Sequence, residues 1–343
     1  MINDEKPTLA IIGAGIAGLA CAMALSDRFT VSIFEKSRGL SGRMSTRRAE
    51  NFVFDHGASF FRCRSAEFAT WLRPFWEAGH VQNWQTIDVQ VDPTGRMMKM
   101  FDAADKLVFS PSMSSIGKAV LATRPQLKTN LGCEIKGVKG HARQWRLVSD
   151  DHEFGPFTYV VSAVPVLQAL QLLPETVGFR SDLEAVQMIG CHTLMLGYAD
   201  DEINLPDWDC VHFVDDILSF ATVNSRKPQR TGGDTLVVQT NHRWSEINIE
   251  MDKEEVAARM KERFVELTKL SVKASGYDQL HRWRYASTSV PAQQSAYLNN
   301  ELGLAAIGDW CSEQSIDNSI FGKIEDGFKS GHHLSQLLLS LKN

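Results

Sequence analysis

Apolar residues along this chain follow two kinds of pattern. At 8–12, 31–34, 159–164 and 302–307 they gather in short, almost wholly apolar runs. Such runs suit strands buried on both faces of a parallel sheet. Between about 180 and 290 the style changes. Residues 192–198, 210–213 and 235–240 alternate as antiparallel strands with one exposed face do. Helical periodicity predicts a helix at 19–27 and one at 65–79, with Phe68, Trp71, Leu72 and Phe75 inward. Further helices are expected at 112–123 (Met113, Ile116, Val120, Leu121), at 253–270 and, as a closing helix, at 324–340. Residues 52–54 read as a short strand, 81–109 as strands around an Asp92-Pro93-Thr94-Gly95 turn, and 127–148 as two or three strands that include 133–138 and 145–148.

This order predicts an α/β (α+β, two-lobed) protein with discontinuous domains. A Rossmann-type nucleotide-binding lobe would take 1–80, 112–178 and 296–343, and an antiparallel-sheet cap would take 81–111 and 179–295. The cap is expected to roof a substrate pocket.

The first strand carries the most specific chemistry. Gly13-Ala14-Gly15-Ile16-Ala17-Gly18 follows it directly, an Ala-rich helix follows the glycines, and Glu35 ends the next strand. Gly13 allows the tight turn, Gly15 lets a pyrophosphate approach the backbone, and Gly18 lets helix and strand pack closely. The helix N-terminus faces the diphosphate with a partial positive charge. Glu35 is placed to accept hydrogen bonds from a ribose diol. Beyond Lys36 lies a second cluster, Arg38-Gly39-Leu40-Ser41-Gly42-Arg43-Met44, whose guanidinium groups and small residues suit a loop lying on phosphates. Asp55-His56-Gly57-Ala58 and the late Gly308-Asp309 provide two more places of close backbone approach.

Composition narrows the function classes. The chain has 343 residues, 43% hydrophobic and 22% charged, which suits two lobes with their own cores. A net charge of −5 argues against nucleic acid or an anionic membrane as partner. Residues 9–25 carry no charge but are rich in Gly and Ala, unlike the roughly twenty strongly apolar residues of a spanning helix. Asn3-Asp4-Glu5-Lys6 is not the basic start of a secretory leader. The six cysteines are scattered without a CxxC pair, so reduced thiols in a cytoplasmic protein are expected. His332-His333 point to different faces of a helix and lack a ligand partner, so no metal is expected.

Gly13-x-Gly15-x-x-Gly18, Arg38-Gly39-x-x-Gly42-Arg43-Met44-Ser45, Asp55-x-Gly57-Ala58 and Gly308-Asp309 resemble the FAD-binding signature of amine-oxidase-type flavoproteins. Longer blocks make the chain similar to bacterial renalase-like proteins: 38–48, Gly57-Ala58-x-x-Phe61, Asn224-Ser225-Arg226-Lys227-Pro228, Trp244-Ser245, His281-Arg282-Trp283-x-Tyr285-Ala286 and Gly308-Asp309-Trp310-Cys311. The resemblance implies a p-hydroxybenzoate-hydroxylase-like fold and non-covalent FAD. It implies oxidation of 2- and 6-dihydro-NAD(P) to NAD(P)+, with hydride passing to flavin N5 and O2 reduced to H2O2. The chain departs from relatives at Ser41, where they have glycine, which is tolerable if its φ is not positive. It also interposes residues 312–320 and carries Lys323 where arginine is usual.

The cofactor contacts expected on these grounds are Gly13, Gly15, Ile16, Ala17, Gly18, Glu35, Lys36, Gly42, Arg43, Met44, Gly57, Ala58, Val138, Gly308, Asp309 and Ile324. The helix beginning near Ile324 should point at the pyrimidine end of the flavin. Phe60, Trp244, His281, Trp283 and Tyr285 are the substrate-side candidates, with Phe61 and Trp310 as further aromatic walls. His281 is placed to hydrogen-bond a carboxamide and Arg282 to meet a phosphate. Cys311 is expected to be a small buried hydrophobe. Hydride loss from a dihydropyridine releases no proton, so no general base is required. Two other readings remain: an amine oxidase, which would need an aromatic cage around nitrogen, and a non-catalytic flavin-bound redox sensor.

Overall fold

The computed structural model describes residues 6–101, 105–199, 205–270, 272, 276–311 and 323–341. The apolar runs assemble into a six-stranded sheet ordered Tyr297–Asn299, Leu304–Ala306, Tyr159–Ser162, Thr8–Ile12, Thr30–Glu35, Lys128–Leu131. All pairings are parallel except the first. Leu9 stands between Val31 and Tyr159, and Leu9, Ala10 and Ile11 are fully buried. The fold is therefore mixed α/β with a Rossmann-type lobe built from both ends of the chain.

Two helices lie together on this sheet because glycine lets them. A Cβ at Gly331 of the Lys323–Ser340 helix would sit 2.2 Å from Ala17 O, and one at Gly18 would sit 2.2 Å from Gly13 O. The Ile16–Leu25 helix is consequently pressed against the closing helix on one side and its own strand on the other. The Ala66–Glu77 helix, capped by Ser65, buries Phe68, Leu72 and Phe75 in the same core.

A seven-stranded sheet forms the other half, ordered Tyr277–Val290, Gln187–Tyr198, Asp234–Thr240, Leu218–Val223, Cys210–Phe213, Asp88–Val91, Met97–Met100. Its pairings are antiparallel except that between Cys210–Phe213 and Asp88–Val91. The alternating pattern predicted strands with one exposed face, and this part of the reading fails. Met195 and Val237 pack on Phe52 and Phe54, while Leu194, Leu196, Leu236 and Val238 pack beneath Val256, Met260 and Phe264 of the Lys253–Thr268 helix. Both faces of the central strands are covered, one by the nucleotide lobe and one by that helix. Residues 133–136 also differ from expectation: they are an irregular connector, and the strand starts at Gly137.

The lobes are pinned together by a buried ion cluster. Asp55, fully buried at the end of its strand, accepts from Arg230 Nη2 at 2.7 Å, Lys227 Nζ at 3.2 Å, Thr46 Oγ1 at 2.7 Å and the Met113 backbone at 3.0 Å. Burial alone would raise its pKa, but Lys227 and Arg230 hold it well below the usual carboxylate range. Lys227 is pushed down to about 8 by burial, against the pull of Asp55.

Candidate functional site

Two connected clefts run between the lobes. The outer one is lined at one end by Gly13, Glu35, Lys36, Gly42, Cys133 and Lys136, and at the other by His56 and His281 through Tyr285. The inner one is lined by Gly15, Ile16, Ala17, Met44, Gly57, Ala58, Gly308, Asp309, Ile324 and Gly327, and on the cap side by Cys191, Gln239, Trp283 and Ala286. Gly15, Arg43, Ala163, Val164 and Trp283 line both.

The floor is mainly backbone. A Cβ added at Gly15 would meet nothing within 4 Å, so this glycine opens onto the cleft at the start of the Ile16–Leu25 helix. That helix has no side-chain cap, which leaves its first N–H groups for a ligand. Glu35 is buried and accepts from Ala14 N–H at 2.9 Å and Ser37 N–H at 2.8 Å. Each carboxylate oxygen retains a lone pair for a diol. Ser41, at φ 90°, does adopt the left-handed backbone that favours glycine. Its side chain compensates: Oγ donates to Ser114 O at 2.8 Å and accepts from Gly117 N at 3.2 Å.

Arg43 and Asp309, far apart in sequence, meet here. Arg43 Nη1 and Nη2 donate to Asp309 Oδ2 and Oδ1 at 2.8 and 2.5 Å, and Nη1 also reaches Ala286 O at 3.2 Å. The pair ties the phosphate loop to the late strand across the middle of the cleft. Ile324 and Gly327 bring the first turn of the closing helix to the inner wall.

The roof is made of side chains. Trp283 Nε1 donates to His56 O at 2.9 Å, and its ring stacks on the His56 imidazole at 5.2 Å between centroids. His281 packs edge-on against both, at 4.3 Å from Trp283 and 4.8 Å from His56. Burial first, then the like charges of His281 and Arg47, lower His56 to about 3. Burial first, then Arg47 and Lys253, lower His281 to about 4. Both imidazoles are neutral at pH 7.

The structure brings most of the expected residues together. Gly18 serves packing, as its motif position requires. Tyr285 lines the outer cleft only. Val138 does not line either cleft: it stands in the Gly137–His141 strand and packs on the core, while 133–136 just before it form the wall. Phe60 and Trp244 are likewise displaced. Phe60 is 1% exposed, lies under Lys106 and meets Phe220 edge-on. Trp244 packs on the helix-covered face of the cap sheet, beside His192. Phe61 and Trp310 are core residues too, and Cys311 is buried with burial raising its pKa. Their aromatic character suited a wall, but Phe60 and Phe61 from the segment after Gly57, Trp244 from the His242–Ile247 helix and Trp310 from the turn after Asp309 pack into cores instead. Residues 312–320 fall outside the described residues. His56, Cys191 and Gln239 are the residues that sequence reasoning missed.

No described helix is long and apolar enough to cross a membrane, and no three described His, Cys, Asp or Glu side chains converge as metal ligands.

Comparison with known proteins agrees with this architecture. The profile of the NAD(P)-binding Rossmann-like domain matches residues 11–77. A 4,4'-diapophytoene desaturase (4,4'-diaponeurosporene-forming) of Staphylococcus haemolyticus is 29% identical over 119 residues, 34% of this chain and 22% of that protein. The match thus spans under a quarter of the curated relative's length. Among solved structures, a protein assigned as a protoporphyrinogen oxidase from Exiguobacterium sp. 255-15 superposes with TM-score 0.76 at 11% identity, covering 97% of this chain and 98% of that one. Putrescine oxidase bound to putrescine gives 0.69 at 12% identity, covering 98% and 99%. Cyclohexylamine oxidase from Brevibacterium oxydans gives 0.68 at 12%, covering 97% and 100%. This chain therefore carries an NAD(P)-binding Rossmann-like domain and shares the fold of these solved oxidases.

Proposed function

We propose that the chain is an FAD-dependent oxidase of isomeric dihydronicotinamides, converting 2- and 6-dihydro-NAD(P) to NAD(P)+. The floor fits FAD: an uncapped helix N-terminus, an open Gly15, a buried Glu35 and an Arg43–Asp309 bridge lie along the two connected clefts. Bound FAD would supply the two-electron chemistry, taking hydride at N5 and passing electrons to O2 to give H2O2.

The observation that carries the substrate class is the composition of the inner wall. Among the described residues Trp283 is the one aromatic side chain lining the inner cavity, which suits a single flat ring stacked on it better than a cage around an amine nitrogen. Among the described lining residues the one carboxylate, Asp309, is held bidentately by Arg43. Burial keeps His56 and His281 neutral and weakens both as bases, which suits a donor that releases hydride and no proton. Arg282 and Arg284 line the cap end of the outer cleft, where a phosphate-bearing substrate gains and an ammonium loses. Glu250, paired with both, offsets part of that charge.

Trp283 would hold a flat pyridine in reactive geometry, and its own position is fixed by the bond to His56 O. Trp283→Ala should retain FAD but slow anaerobic flavin reduction by 6-dihydro-NAD about tenfold or more. Unchanged reduction in that variant would place the substrate elsewhere.

A further inference from the structure

We infer that the free edge of the Tyr277–Val290 strand binds the substrate's primary amide through the main chain of Arg284, which makes that edge a specificity-determining part of the site. The inference rests on the dihydronicotinamide reading and names the group by which that substrate is recognised.

The Tyr277–Val290 strand is the outermost of the seven, with Gln187–Tyr198 on its inner side. His281, Trp283 and Tyr285 point to one face of the sheet and Arg282 and Arg284 to the other, yet all five line the outer cleft. A strand that shows five consecutive residues to one cleft meets it edge-on. The ladder fixes which backbone groups stand on that edge. His192 N–H donates to Thr240 Oγ1 at 2.9 Å, on the side of the Asp234–Thr240 strand, and Gly197 O accepts from Gly276 N at 3.2 Å, on the opposite side. Odd-numbered residues of Gln187–Tyr198 therefore bond the outer strand at His281 and Trp283, and the N–H and C=O of Arg282 and Arg284 point outward. Ala286 has the same parity: its carbonyl oxygen accepts from Arg43 Nη1 at 3.2 Å. Among the described residues none bonds the outward N–H and C=O of Arg284.

Such an edge sets a donor beside an acceptor. It suits a group that carries both: a primary amide accepts from the Arg284 N–H and donates to the C=O. A phosphate or carboxylate would face the carbonyl oxygen, and a ketone or ester would leave it unpaired. An added peptide strand needs a run of outward groups, and Arg43 ends the run at Ala286. Position agrees with this choice. Trp283 lines both clefts and Ala286 lines the inner one, so Arg284 stands at their junction, beside the ring that would hold a flat pyridine.

The test uses the flavin-containing protein and dinucleotides that cannot donate hydride, so that binding is read apart from chemistry. NAD+ should inhibit anaerobic flavin reduction by 6-dihydro-NAD about tenfold more tightly than its 3-acetylpyridine counterpart, in which a methyl ketone replaces the amide. Arg284→Pro removes the N–H at an edge position, where proline is tolerated, and Arg284→Ala removes the same side chain but keeps the N–H. NAD+ should bind the proline variant about fivefold or more weakly than the alanine variant, at equal flavin content. Equal wild-type inhibition by both dinucleotides, or equal NAD+ affinity in the two variants, would overturn the amide contact and leave the dihydronicotinamide reading intact. Flavin lost from the proline variant alone would assign the edge to the cofactor and overturn the contact too. If Arg284→Pro does not fold, the wild-type comparison still decides. A wild-type flavin that 6-dihydro-NAD does not reduce would instead sink that reading, and the amide contact with it.

Discussion

The floor and the roof of the cleft are built from different materials. The floor is glycine-lined backbone: Gly13, Gly15, Gly57, Gly308 and Gly327 each stand where a side chain would collide or would fill the cleft. The roof is side chains from three strands far apart in sequence, among them Cys191, Gln239 and Trp283. A backbone site has few solutions and writes itself as closely spaced glycines. A side-chain site depends on which residue of each strand faces inward, and a slip of one residue reverses the choice.

The largest effect should come from cutting the pin between the two halves. Asp55→Asn leaves Lys227 and Arg230 buried without their carboxylate, which should cost about 3–5 kcal/mol of stability, read as a lowered thermal midpoint. A floor change distinguishes cofactor space from packing. Gly57→Ala would set a Cβ 1.9 Å from Arg43 O and should cost about 1–3 kcal/mol with loss of flavin. Gly15→Ala meets no protein atom within 4 Å, so its thermal midpoint without cofactor should be unchanged while FAD affinity collapses. If Gly15→Ala keeps its flavin, the diphosphate does not cross this floor.

The roof should reveal itself through pH. His56 and His281 have pKa values of about 3 and 4 in the folded protein, against about 6.5 when unfolded. Between those values the unfolded chain binds more protons, so stability is complete above about pH 6.5 and falls as pH drops toward 4. His56→Phe should flatten the thermal midpoint over that window; an equally steep decline would mean that other groups govern acid sensitivity. The smallest effect is expected at Trp244, behind the sheet: Trp244→Leu should alter the reduction rate less than about twofold while lowering stability. A large kinetic loss would return Trp244 to the site.

The same contrast explains what was legible in the sequence. The strand–glycine–helix start, Glu35, the Arg38-to-Met44 loop and the late Gly308-Asp309 required only local chemistry, and each now lines the cleft or supports it. Phe60, Trp244 and Val138 match the site by residue type and proximity to motifs, but the loop, helix and strand that carry them pack them into cores instead. Gln239 carried no signal, because residues 235–240 read as an antiparallel strand with one exposed face, and only the packing of the other lobe on that sheet brings Gln239 to the cleft. The doubly covered cap sheet was missed for a related reason: alternation reports polarity along one strand, not whether a distant Phe52 and Phe54 or a distant helix lie over its two faces.

The most direct test of the central claim is an anaerobic titration of the purified, flavin-containing protein with 6-dihydro-NAD and, separately, with putrescine. The account predicts that one equivalent of the dihydropyridine bleaches the visible flavin band and releases NAD+, and that admitted O2 restores the band with H2O2. Putrescine should leave the spectrum unchanged. Bleaching by the amine and not by the dihydropyridine would contradict it.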